Sequence, residues 1–149
     1  MNEKVSLFNY CLDYVEERIA RIQTEINSAQ LSANQETKSS AGDKYETGRA
    51  MAQLDIERNM FQLKEAEKLR SILRNLPKTT VANMVVPGAL VITNKGKFFL
   101  AISIGTVKLN GEPYFIISAD SPIGKLLLGK QQGSTFNWNN TEYKISEIR

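Results

Sequence analysis

Apolar positions along the first third of the chain recur in steps of four and three. Phe8, Leu12, Val15, Ile19, Ile22, Ile26, Ala29 and Ala33 form a heptad seam of more than three repeats. Between them lie Glu16, Glu17, Arg18, Arg21, Gln23 and Glu25, the wet side of a coiled-coil helix. The seam shrinks to alanine toward its end, which predicts a close approach of two helices there. After the polar stretch "SANQETKSSAGDKYETG" a second helical run is expected from about Arg49 to Leu76, on Met51, Leu54, Phe61, Ala66, Leu69, Ile72, Leu73 and Leu76. Pro77 stops it, having no N–H to donate and forcing its predecessor out of the helical region. Two helices of similar length joined by a polar turn predict an antiparallel coiled-coil hairpin over residues 1–76, a rod of about 45 Å.

Beyond a short linker at 77–83 the period becomes strand-like. "MVVPGALVITNKGKFFLAISIG" has β-branched and aromatic runs broken at Pro87-Gly88 and at "NKGK". "KLNGEPYFIISA" adds a hairpin with Asn110-Gly111 as its turn, and a short helix from about Pro122 to Leu128 precedes two last strands joined at Asn139-Asn140. The fold class expected is therefore α+β: a helical hairpin followed, over 84–149, by a small, mainly antiparallel β domain.

Composition narrows the chemistry. The 149 residues include 42% apolar ones, enough for a packed core, and the N-terminus lacks the apolar stretch of a signal peptide or membrane span, so a cytoplasmic protein without membrane contact is expected. One cysteine, Cys11, cannot form an internal disulfide. The absence of histidine removes the commonest member of zinc sites and nucleophilic triads, which argues against hydrolysis by this chain alone. Residues 1–76 carry 11 Lys+Arg against 12 Asp+Glu, and residues 77–149 carry 8 against 4. That basic excess is too small and too scattered to favour duplex binding over a solvated surface.

Two stretches stand out. In "GDKYET", Asp43 and Glu46 have the D-x-x-E spacing of a capping box, with Asp43 as N-cap. Thr47 is a competing cap, and it would leave both carboxylates exposed in the turn. At a rod tip they suit a magnesium ion belonging to another molecule, because Mg²⁺ is commonly held by one or two carboxylates and keeps its waters. In "ISADSPIGKLLLGKQQGSTF", Asp120 or Ser121 can cap a short helix with Pro122 at its first position, and Gly129 can end it. The same corner, with "LLL" behind it, can dock a partner.

"ISADSPIGKLLLGKQQGSTFNWNNTEYKISEI" resembles the C-terminal domain of the Gre family of bacterial transcript cleavage factors, through Ile117, Ser118, Ser121, Pro122, Leu127, Gly129, Lys130, Gly133, Tyr143, Ile145 and Ile148. "AGDKYETGRAMAQ" resembles that family's tip, G-D-x-x-E-N-A-E-Y, in the right order along the chain. The resemblance implies an FKBP-like β domain that binds RNA polymerase at its secondary channel through Asp120, Ser121 and Pro122. It also implies no cofactor of its own, with Asp43 and Glu46 helping to hold the polymerase's magnesium so that the polymerase cleaves the nascent RNA of a backtracked complex. A monomer is expected, with a hairpin that shares part of its seam as the other arrangement. Lys38, Lys44 and Arg49 are candidate RNA or phosphate contacts. Where the family has N-A-E-Y after the glutamate, this chain has Thr47, Gly48, Arg49 and Ala50, which keeps a non-cleaving channel regulator as the alternative. A prolyl isomerase, by analogy with other FKBP-like domains, and a plain coiled-coil adaptor are the readings from other classes.

Overall fold

The computed structural model describes residues 2–37, 42–77 and 83–149, with side chains at 36, 37 and 42–45 excepted. Two long helices, α1 (Glu3–Thr37) and α2 (Gly42–Arg74), precede strands β1 (Leu90–Thr93), β2 (Gly96–Ala101), β3 (Gly105–Leu109) and β4 (Glu112–Ser118). Helix α3 (Pro122–Leu127) and strands β5 (Thr135–Trp138) and β6 (Thr141–Ile148) complete the chain. The α+β class is as expected: a helical hairpin followed by a mainly antiparallel sheet. Contacts divide it into two compact units, Asp13–Arg70 and Met1–Leu12 with Ser71–Arg149.

In the hairpin unit both helices are longer than their patterns suggested. Most of the polar stretch is helical, since α1 runs to Thr37 and α2 begins at Gly42 rather than near Arg49. Val15, Ile19, Ile22 and Ile26 are buried as expected. The seam of α2 differs in part from its prediction: Ala66 and Leu73 are buried as expected, but Ala52, Ile56, Asn59, Leu63 and Arg70 complete the heptad line, whereas Met51, Leu54, Phe61 and Ile72 are exposed. Large residues attracted the prediction, but spacing and the partner helix decide burial, and the true seam hides behind small and polar members. Antiparallel pairing is fixed by Arg70 Nη1, which lies 3.3 Å from Glu16 Oε1, so the start of one helix faces the end of the other. The alanines expected to draw the helices together, Ala29 and Ala33, are only half-buried.

In the sheet unit the strand order is β3-β4-β2-β1-β6-β5. Every neighbouring pair is antiparallel except β2 with β4, which run parallel from Phe98↔Phe115 to Ala101↔Ser118. That parallel pair arises because β3 takes the edge and the hairpin brings β4 back beside β2. The two tight turns at Asn110-Gly111 and Asn139-Asn140 have φ of 52°, 81°, 50° and 60°, the left-handed conformation that matches strand twist and that Asn and Gly tolerate best. One face of the sheet packs Val91, Phe98, Leu100 and Ile145 against Ile123 and Leu127 of α3 and Phe136 of β5. Alternation sends Leu90, Phe99 and Ile116 to the other face, where all are buried.

The first turns of α1 belong to this second face. Leu7 and Cys11 are fully buried while the predicted seam members Phe8 and Leu12 are half-buried, so the buried stripe is broader here than a two-helix seam. Phe8, Leu76, Pro77 and Phe99 line a cleft of about 340 Å³. Glu3 ties the start of α1 to the sheet: it accepts hydrogen bonds from Tyr114 Oη at 2.5 Å and Lys97 Nζ at 3.1 Å, and is paired with Arg149. Burial, with the Cys11 thiol fully covered, pushes that thiol up to about 12, so it is inert packing.

Candidate functional site

The N-terminal end of α2 carries the acidic pair. Gly42 is already helical, so Asp43 falls in the first turn and Glu46 one turn on, adjacent positions on a helix surface. Asp43 and Thr47 both lie inside the helix, so neither expected N-cap is adopted: the chain turns helical before it reaches either residue. The side chain of Asp43 lies outside the described residues, as do the side chain of Lys44 and the whole of Lys38. Glu46 is exposed. From Arg70, opposite Glu16, to Glu46 is 24 residues of helix, about 36 Å, so this acidic turn stands at the far end of the hairpin unit from that ion pair. Arg49 is exposed and lines a polar cleft of about 330 Å³ with Gln30, Ala33, Asn34, Gln53 and Ile56. Small residues at the end of the α1 seam thus leave a groove beside the acidic turn.

The second candidate site is the corner between β4 and α3. Ser121 is the N-cap of α3, with extended φ and ψ of −67° and 157°. Its hydroxyl accepts from Gly124 N at 3.0 Å and donates to Ser118 O at 2.7 Å. Both capacities of that oxygen are engaged by the corner itself, so Ser121 builds the surface rather than reaching beyond it. Pro122 occupies the first helical position, where its missing N–H costs nothing. Asp120 and Pro122 are exposed on either side of the half-buried serine. Of the three leucines behind them, Leu127 is fully buried, Leu128 packs on the core and Leu126 points outward, 37% exposed. Gly124 is required: a Cβ there would stand 2.1 Å from Ser118 O.

Sequence reasoning missed the polar cluster around Glu3. Lys97 Nζ also reaches Glu112 Oε2 at 2.7 Å and lies 5.4 Å from the Tyr114 ring centre, and Arg149 reaches Glu147 at 3.1 Å. The Tyr114 hydrogen bond, then that from Lys97, holds the Glu3 carboxyl below the usual carboxylate range. Burial, then the bond to Glu3, pushes the Tyr114 phenol up to about 12. Its members come from both ends of the chain, and no local pattern could announce it.

Among the described residues no group of three or more Cys, Asp or Glu side chains is gathered to hold a metal on its own. No described helix is long and apolar enough to cross a membrane. No family model matches the chain, and no curated protein matches it either.

Proposed function

We propose that this chain is a Gre-like transcription factor that binds RNA polymerase at the secondary channel and presents Asp43 and Glu46 to the polymerase active centre. The observation that carries the reading is the acidic turn: two carboxylate residues one helical turn apart, at the end of a long antiparallel hairpin, in a chain with a separate sheet unit. Two carboxylates suit a partial share in a magnesium ion, which is commonly held by one or two such groups and keeps its waters. When bound, that ion supplies charge stabilisation and an activated water for phosphodiester cleavage. The chain's own contribution is to place two carboxylate residues in the first turns of a helix with a packed seam, with Arg49 close by to meet phosphate. Asp120 and Pro122 serve as the exposed contact with polymerase, and Ser121 fixes their geometry. The chain acts as a partner to the polymerase's chemistry and has none of its own.

The deciding assay is cleavage of the 3′ end of nascent RNA in a stalled, backtracked polymerase complex. Asp43→Asn preserves size and gives up only the charge–dipole attraction of the first turn, about 0.3–1 kcal/mol, so it should change the melting temperature little and remove stimulated cleavage; wild-type rates from this variant would reject the metal-sharing role. Asp120→Lys and Pro122→Ala should weaken co-purification with polymerase, and undiminished binding would remove the corner from the interface. A wild-type chain that binds polymerase and stimulates no cleavage would be a non-cleaving regulator of the same channel.

A further inference from the structure

Helix α2 carries a second heptad, on the side away from its buried seam. Met51, Leu54 and Phe61 are 63%, 58% and 66% exposed, and with Arg58 they follow one another in steps of three, four and three. Glu65 and Lys68 continue the same line. These positions lie about 150° round the helix from the seam of Ala52, Ile56, Asn59 and Leu63. A lone exposed leucine is ordinary, but large apolar side chains recurring at coiled-coil spacing on the outer face are the pattern of a helix with a second partner.

We infer that this face binds a second copy of the chain, α2 against α2, antiparallel about a twofold axis between residues 61 and 62. The charges specify the occupant. About that axis Arg58 falls opposite Glu65 of the second copy, a pair that the symmetry makes twice, and Phe61 lies within one residue of its own equivalent. Leu54 falls opposite the half-buried Leu69, so apolar side chains meet on either side of the charged pair. The face is self-complementary, as a twofold interface requires. A parallel pairing would set Arg58, Lys64 and Glu65 each against its like, which is repulsive. Within the single chain Arg58 sits 3.6 Å from Asp55 and Lys68 sits 3.1 Å from Glu65, both as exposed pairs one turn apart. Such pairs contribute little, so exchanging them for pairs between copies is nearly free. From Met51 to Lys68 the face is only about 26 Å long, which makes the association reversible and concentration-dependent. The inference does not depend on the proposed function.

The test is sedimentation velocity on the full chain at concentrations up to about 1 mM, with circular dichroism to verify that each variant keeps its helices. The weight-average mass of the wild type should rise toward that of a dimer. Arg58→Glu and Glu65→Arg should each weaken association at least about tenfold, the change that each 1.4 kcal/mol of lost attraction brings. An equimolar mixture of these two variants should restore it, because each then meets an opposite charge at both symmetry-related positions. A wild type that stays monomeric throughout, or a mixture that associates no better than either variant alone, overturns the inference.

Discussion

The β4–α3 corner should be the most demanding place in the sheet unit, and Gly124→Ala tests that. A methyl group at this position would stand 2.1 Å from Ser118 O, 2.9 Å from Ser121 Oγ and 3.0 Å from Ala119 O. The carbonyl of Ser118 cannot simply retreat, because Ser118 ends β4 opposite Ala101 of β2 and that oxygen also accepts from Ser121 N at 3.2 Å and Ser121 Oγ at 2.7 Å. Forcing a methyl into a packed site costs about 1–3 kcal/mol. Displacing the Ser121 cap adds about 1 kcal/mol, so a total near 3 kcal/mol is expected. Ser121→Ala, which removes the cap and leaves the space, should cost only the second part. Urea unfolding followed by the fluorescence of Trp138, the single tryptophan, reports on this unit, and the loss should appear as a lower midpoint at constant slope. A Gly124→Ala variant that loses less than about 1 kcal/mol, or no more than Ser121→Ala, would refute this account of the corner.

Three further expectations concern the Glu3 cluster and the hairpin. Glu3 has a lowered folded-state pKa, so its bonds contribute stability above the unfolded carboxylate pKa and lose it as pH falls through the depressed folded value; Glu3→Gln should therefore be less stable than wild type at pH 7 and converge with it in acid. Tyr114 is raised to about 12, so its contribution is complete below the unfolded phenol pKa and fades as pH climbs toward 12; Tyr114→Phe should flatten that alkaline loss in a pH series of melting temperatures. In the hairpin, Leu63→Ala should destabilise by about 2 kcal/mol or more and Leu54→Ala by no more than about 0.5 kcal/mol, as measured by thermal melts followed at 222 nm. Equal losses would put Leu54 back in the seam and undo the assignment of the outer face.

What the sequence disclosed depended on whether the deciding interaction was local. Asn110-Gly111 and Asn139-Asn140 announced their turns because left-handed backbone is a property of the residue itself. Ser121, Pro122 and Gly129 could be read as the start and stop of a short helix for the same reason, though the need for Gly124, from the close approach of Ser118 O, required the folded corner. The α1 seam was legible from Val15 to Ile26, where one partner helix imposes one period, and failed at Leu7 and Cys11, where the sheet unit buries a wider stripe. The parallel pairing of β2 and β4 and the partners of Glu3 join segments distant in the chain, so no window of sequence contains them.

The misreading of α2 has a physical cause that also bears on function. Met51, Leu54 and Phe61 form a genuine heptad line, and the true seam forms another, nearly opposite, weakened by Asn59 and Arg70. Hydrophobicity alone favours the first line as the inner one. The choice is settled by α1, whose Glu16 offers a partner to Arg70, and Ala52 and Ala66 are among the buried members of the resulting seam. A polar residue in a seam lowers stability and fixes register. Register is what a hairpin needs if the residues in the first turns of α2 are to stand at a fixed height, because a slip of one heptad would move Asp43 and Glu46 by about 10 Å along the axis. Asn59 and Arg70 thus exchange hydrophobic stability for position, and the apolar surface that a stronger seam would have used is left on the outer face for another chain.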